Sequence, residues 1–252
     1  MRAVQVTALF SYNKAVMFTG NYKFADKTVG IISLYEDVHE YCKDYLTGDA
    51  ADFTVTTAAQ DIDFEKSRSD LKTFKDGYYE ELAVYRKICE KMPIYDTFLF
   101  HGSVVAVDGV AYAFAAPSGT GKSTHAALWR ELFGDRAVMV NDDKPLLRVG
   151  ECVTAYGTPY DGKHRLSNKI AVPLKAVCLI ERGAENRIER ITASEAYPVL
   201  VQQTYRPLDV EALGKTMVLL DKLTQKVELY RLSCNMDIEA AKVAYEGMNG
   251  VC

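Results

Sequence analysis

Apolar positions along the chain fall into short continuous or alternating runs in some stretches and into three-and-four spacing in others. Runs at residues 4–10, 14–18, 29–34 and 52–57 predict short strands, with Ser11-Tyr12-Asn13 and Thr19-Gly20-Asn21 as turns. Val38, Tyr41, Cys42, Tyr45 and Leu46 share one face of a helix over 36–46, which Gly48 terminates. A stronger stripe, Tyr78, Leu82, Tyr85, Cys89 and Met92, marks a helix that Asp76 can cap and Pro93 ends.

The second half is richer in strands. Residues 99–107 and Val110–Ala115 are apolar runs joined by Asp108-Gly109, a strong hairpin signal. The second run feeds a small-residue turn and a helix over 124–133. Beyond it the pattern predicts a strand at 136–140 and a hairpin of 145–149 with 152–156. A polar loop at 157–165, a buried strand at 174–180 and an alternating strand at 187–191 follow. Thr192-x-x-Glu195 is a capping box opening a helix that Pro198 should kink or split. A helix at 210–223, a strand at 227–232 and a helix at 238–245 close the chain. The expectation is an α/β protein: a small α+β domain over 1–75 and a larger domain over 76–252. The Asp108-Gly109 hairpin makes the strand before the turn antiparallel to its predecessor, so the larger sheet should be mixed.

Composition narrows the functional classes. In 252 residues, 48% hydrophobic and 25% charged content is that of an ordinary globular chain. A net charge of −4 argues against a nucleic-acid partner held by phosphate contacts. No apolar run approaches the roughly 20 residues that span a bilayer, and residues 1–10 do not have the form of a signal peptide, so no membrane partner is expected. The six cysteines form no CxxC pair. Cys152 and Cys178 lie in apolar runs and are expected as buried thiols of a reducing cytoplasm.

The chemistry concentrates at residues 115–124, Ala-Ala-Pro-Ser-Gly-Thr-Gly-Lys-Ser-Thr. A strand, a glycine-bearing turn and a helix opening on Gly-Lys-Ser form the Walker A pattern. Glycines let backbone N–H groups ring a polyphosphate at the positive end of a helix. The expected ATP-binding residues are Pro117, Ser118, Gly119, Thr120, Gly121, Lys122, Ser123 and Thr124. Lys122 supplies charge to the outer phosphates, and the Ser123 hydroxyl can ligate Mg²⁺. The usual first glycine of the pattern is Ala116 here. Asp142 and Asp143 end the next strand, where a metal-holding carboxylate and a base belong. Lys163 and Arg165 could reach a γ-phosphate or substrate from the polar loop, and His101 precedes the turn; for each, a purely structural role is the competing reading.

The ordered set His101-Gly102-Ser103, residues 116–124 and Asn141-Asp142-Asp143 resembles the catalytic domain of HPr kinase/phosphorylase, and is similar to ATP-dependent phosphoenolpyruvate carboxykinase, across roughly residues 98–182. The set also resembles the small HPr-kinase-like proteins of peptide-modification clusters. The resemblance implies a P-loop kinase domain of that type, with ATP and Mg²⁺. Lys122 would bind the β- and γ-phosphates, Ser123 and Asp143 the metal, Asp142 would take the acceptor's proton, and His101 would lie near the transferred phosphoryl group. It further implies a peptide or protein acceptor with a serine hydroxyl; the oligomeric state is open, with a homo-oligomer as one outcome. A glycine-rich Glu-Ile-Arg-Gly signature soon after the acid pair is missing; Glu181-Arg182-Gly183 comes later, at the end of a strand. That departure argues against HPr itself as the acceptor. Two other readings stand beside a hydroxyl kinase: a non-catalytic ATP-binding accessory module, and a small-molecule kinase.

Overall fold

In the computed structural model, which describes residues 7–10, 16–69, 73–162 and 164–250, the chain forms two compact units, Met1–Lys91 and Met92–Cys252.

The first unit carries a four-stranded sheet in the order β1 (Thr7–Phe10), β2 (Val16–Phe24), β3 (Lys27–Ser33), β4 (Phe53–Thr56), with β4 parallel to β3. Thr19-Gly20-Asn21 is not a turn: β2 runs straight through it, and the reversal comes at Ala25 and Asp26, whose φ angles are 48° and 62°. Two consecutive left-handed residues are what a two-residue hairpin needs, and an Ala-Asp pair lacks the glycine that usually signals it. The Ser11-Tyr12-Asn13 turn and the start of the first strand lie outside the described residues. The helix predicted over 36–46 is shorter: α1 (Asp37–Tyr41) gives way to a 3₁₀ turn at Lys43–Tyr45.

Helix α2 (Ala59–Arg68), which the pattern does not predict, and α3 (Asp76–Lys91) complete the unit. The buried face of α3 is Tyr79, Glu80, Ala83, Val84 and Ile88 as well as Tyr85 and Cys89, while Tyr78 is exposed. Glu80 turns inward because its carboxylate accepts from the N–H groups of Leu34 and Tyr35, at 2.7 and 2.8 Å, and from the Thr57 hydroxyl. A buried carboxylate needs such partners. Since α3 packs on α1, α2, β3 and β4, the units divide between Lys91 and Met92, whereas the sequence pattern puts the boundary after residue 75.

The second unit is built on a nine-stranded mixed sheet. Its strands are β5 (Thr97–Leu99), β6 (Ser103–Val107), β7 (Val110–Ala115), β8 (Ala137–Asn141), β9 (Leu146–Val149), β10 (Val153–Tyr156), β11 (Ala171–Arg182), β12 (Arg187–Arg190) and β13 (Glu228–Cys234). Asp108 and Gly109 take φ of 51° and 80°, closing the β6–β7 hairpin as their dipeptide predicts. β7 therefore has β6 antiparallel on one side and β11 parallel on the other. The long β11 pairs with β10 at its start and with β13 at its end, which curls the sheet. The predicted run 99–107 is broken at residues 100–102, so His101 sits between strands and not within one.

Alternation along β6 and β7 explains the layers. Val104, Ala106, Ala111, Ala113 and Ala115 face a core shared with α5 (Ala193–Gln203) and α6 (Val210–Lys226). Val105, Val107, Tyr112 and Phe114 face one shared with α4 (Lys122–Phe133) and α7 (Ile238–Asn249). A sheet buried on both faces needs helices on both. α5 passes through Pro198 without splitting: Pro198 and Ser194 are both exposed, so the carbonyl that loses its partner can bond to water. Cys178 is buried as expected, but Cys152 is exposed, because it lies in the turn before β10 and not in the strand. No helix among the described residues is long and apolar enough to cross a membrane.

Candidate functional site: a glycine turn facing two aspartates

β7 ends at Ala115 and α4 starts at Lys122, so six residues must turn the chain from the sheet onto its face. Gly119 and Gly121 allow this with φ of 78° and 128°, which side chains rarely tolerate. A Cβ built on either would meet nothing within 4 Å. The glycines are therefore required by backbone conformation, and their open side leaves room for a ligand. Ala116, in the place of a glycine, packs its methyl into the core beside Ala126 and Trp129. Pro117, Ser118, Ser123 and Thr124 are exposed along the turn and the first helical residues.

Lys122 is 9% exposed and its ammonium donates to the Ala116 carbonyl at 2.8 Å. Burial lowers its pKa, while the charges of Asp143 and Asp142 act in the opposite sense. The structure thus brings the predicted lysine and both predicted aspartates into one electrostatic neighbourhood.

The acid pair is presented by Asn141, the last residue of β8. Its buried amide donates to the carbonyls of Thr158 and Tyr160 (3.0 and 3.3 Å), and its oxygen accepts from the N–H groups of Asp143 and Lys144 (2.8 and 2.7 Å). This side-chain turn fixes the backbone of the pair, whose two carboxylates have different partners. Asp142 is buried and accepts at Oδ1 from the Ser103 hydroxyl, 2.7 Å away. Asp143 meets His101 Nε2 at 3.2 Å and Lys144 Nζ at 3.3 Å. Burial would raise the Asp143 pKa, but the His101 hydrogen bond and the Lys144 charge outweigh it and hold the carboxyl below its ordinary range.

Within the polar loop, Gly162 lies against this pair. A Cβ built on Gly162 would lie 3.6 Å from Asp142 Oδ2 and 3.7 Å from the Asp143 Cβ. Asp161 accepts from Ser167 Oγ at 3.0 Å, and its buried Oδ1 has no partner among the described residues. Burial pushes its carboxyl pKa up, and the Asp142 charge adds to that. Arg165, left-handed at φ 52° and exposed, acts electrostatically on Asp161. Lys163 lies outside the described residues.

Several residues to which the sequence reading gives no role shape the site. Arg182, at the end of β11, donates to the carbonyls of Gly119 (2.6 Å) and Thr120 (3.3 Å), bracing the turn. With its amide oriented to donate, Gln203 bridges the carbonyls of His101 (3.0 Å) and Ala116 (3.1 Å). Ser103, Asn141 and Asp161 act as described above. The only sequence hint to Arg182 is the Glu-Arg-Gly triplet, and its position after a buried strand does not reveal its partner. A cleft of about 590 Å³ lies along the turn, walled by the end of β11 and by Val199 of α5. Among the described residues no three His, Cys, Asp or Glu side chains group to hold a metal ion. Ser123 and Asp143 fit Mg²⁺ only in the manner of phosphate-bound Mg²⁺, with one or two protein oxygens.

Comparison with known proteins places residues 79–240 in a match to the family model described as SynChlorMet cassette protein ScmC. None of the curated proteins matches. Among solved structures, the Hpr(Ser) kinase/phosphatase from Coxiella burnetii aligns over 60% of this chain and 97% of its own, at 7% identity and a TM-score of 0.33. A likeness at that level carries no functional information.

Proposed function

The chain belongs to the SynChlorMet cassette protein ScmC family, and from that premise we propose that it is an ATP-dependent kinase that phosphorylates a hydroxyl, most simply a serine of a peptide or protein. One observation carries the reading: the buried Lys122 ammonium, at the base of a left-handed glycine turn, shares its electrostatic field with Asp142 and Asp143. Phosphoryl transfer asks a protein mainly for positioning and charge neutralisation, together with a group that accepts the nucleophile's proton.

In this reading the backbone of residues 117–121 and Lys122 hold the polyphosphate of ATP at the N-terminus of α4. Ser123 and Asp143 supply the protein oxygens for Mg²⁺, whose role is to neutralise charge on the phosphates. His101 holds the Asp143 carboxylate in position through their 3.2 Å contact. Asp142, fixed at Oδ1 by Ser103, keeps Oδ2 for the proton of the incoming hydroxyl. The acceptor oxygen bonds to the γ-phosphorus, the bond to the β–γ bridging oxygen breaks, and ADP leaves. ATP supply and buried thiols both suit a cytoplasmic setting.

The test is incubation with γ-labelled ATP, Mg²⁺ and serine-bearing peptides, proteins or free alcohols, resolved by mass. Label in a hydroxyl ester, abolished by Asp142→Asn, supports the reading. ATP binding without label in any acceptor would favour a non-catalytic module.

A further inference from the structure

Gln203 is the last residue of α5 and is 5% exposed, yet the phosphoryl transfer described above makes no use of it. The final carbonyls of a helix have no partner inside it. That of Gln203 accepts from the His101 N–H at 2.6 Å. The chain continues along the same path. Thr204 bridges antiparallel to Phe100, and the Tyr205 N–H donates to the Leu99 carbonyl at 3.0 Å. The same segment also reaches the acid pair: the N–H groups of Phe100 and Gly102 donate to the carbonyls of Pro145 (3.1 Å) and Asp143 (3.2 Å). Residues 99–102, which carry His101, are thus tied both to the end of α5 and to the residues that present the aspartates.

The side chain of Gln203 adds a second tie. Its amide lies 3.0 Å from the His101 carbonyl and 3.1 Å from the Ala116 carbonyl. Only the NH₂ end satisfies that arrangement, since an oxygen there would face two acceptors. The group has two protons, one for each carbonyl. A single residue therefore holds His101 by its N–H and its carbonyl, and holds the glycine turn by Ala116. The Ala116 carbonyl also accepts from the Lys122 ammonium at 2.8 Å. It is shared by two donors, one from α4 and one from α5.

We propose that Gln203 is a positioning residue for phosphate binding: it keeps the Ala116 carbonyl paired when Lys122 gives up that bond for a phosphate oxygen, and its other proton keeps the turn in place against the His101 segment. The inference rests on the nucleotide reading above and adds what lets the lysine move. Ala116 is 1% exposed, so water is a poor substitute for a lost donor there. With Lys122 as its sole donor, the carbonyl would be left unpaired each time the ammonium turned to a ligand, and that cost would be subtracted from binding. With Gln203 beside it, the exchange is open.

Calorimetry on the full chain with ATP and Mg²⁺ tests this as a double-mutant cycle. Gln203→Met, similar in size but without donors, should weaken ATP by roughly 3- to 10-fold. In a Lys122→Ala background there is no ammonium to release, so the same change should alter affinity by less than about 2-fold. A residue that only supported the fold would cost the same factor in both backgrounds. Equal factors, or unchanged affinity in Gln203→Met, overturn the role and leave the phosphate site standing. If wild type binds no ATP, the nucleotide reading fails and this role fails with it. Where a variant does not fold, NMR of the wild-type Gln203 side-chain NH₂ decides. Both protons should stay protected from exchange with and without ATP, and exchange as fast as an exposed amide in either state overturns the proposal.

Discussion

The ammonium of Lys122 donates to the carbonyl of Ala116 across 2.8 Å, closing the glycine turn on itself. The same carbonyl is within reach of the Gln203 amide at 3.1 Å. It therefore keeps a donor if Lys122 turns to a phosphate, so the exchange leaves no buried carbonyl unpaired. Lys122→Ala should weaken ATP–Mg²⁺ binding by roughly 10- to 100-fold, the equivalent of about 1.4 to 3 kcal/mol of charge-assisted hydrogen bonding. Titration calorimetry reads this directly. Unchanged affinity would mean that the phosphates bind elsewhere.

Asp142 and Asp143 carry different partners and should fail differently. Asp142→Asn preserves the shape and the Ser103 contact but removes the proton acceptor. ATP affinity should stay within about 3-fold while transfer falls by roughly 10²- to 10⁴-fold. Asp143→Asn should instead raise the Mg²⁺ concentration needed for binding. Equal losses of binding in the two variants would contradict the division of roles.

Arg182 braces the turn from a different strand, with its guanidinium on the carbonyls of Gly119 and Thr120. Its side chain is exposed, so Arg182→Ala should change global stability by no more than about 1 kcal/mol. Loss of the brace should weaken nucleotide binding by about 3- to 10-fold, because the turn must then be ordered by the ligand itself. Arg182→Lys, which lacks the planar fork, should recover only part of it. Thermal melts alongside binding isotherms separate the two effects.

The first unit should be acid-sensitive. His39 is 1% exposed, lies between Tyr22 Oη (2.7 Å) and Ser33 Oγ (2.9 Å), and burial lowers its pKa to about 4. The folded state therefore binds a proton less readily than the unfolded chain. Its contribution is fully present above the unfolded value of about 6.5 and is lost as pH falls from there towards 4. The loss should approach roughly 3 kcal/mol across that window. His125, also lowered to about 4 by burial, has the same sign in the second unit. Denaturant unfolding at pH 7 and pH 5 should show the drop, and His39→Gln should flatten it for the first unit. A profile flat from pH 7 to 4 would be incompatible with a buried neutral imidazole.

Local signals were reliable where one or two residues decide the backbone. The Asp108-Gly109 hairpin follows from left-handed φ angles, and Thr192 with Glu195 forms the capping box that their spacing predicts. The Ala25-Asp26 reversal was hidden because neither residue advertises a positive φ. Helix α2 was hidden because it buries only Ile62, so it shows almost no apolar stripe. Tyr78 misled for a related reason: the face of α3 is set by the inward-turned Glu80, a charged residue that a hydrophobic pattern reads as outward.

By itself the sequence determined the mixed α/β character, the strand–glycine turn–helix unit and the acid pair after the next strand. These depend on periodicity and on the conformations that glycine, asparagine and aspartate permit within a few residues. Only the tertiary structure decided that Ser103 holds Asp142, that His101 holds Asp143, and that Arg182 and Gln203 brace the turn. Those pairs join residues tens of positions apart, and it is the stacking of β7, β11 and β8 with their helices that brings them within hydrogen-bonding distance. A lysine and two aspartates can be read along a chain, but that the charges of Asp142 and Asp143 act on a buried Lys122 follows only from the fold.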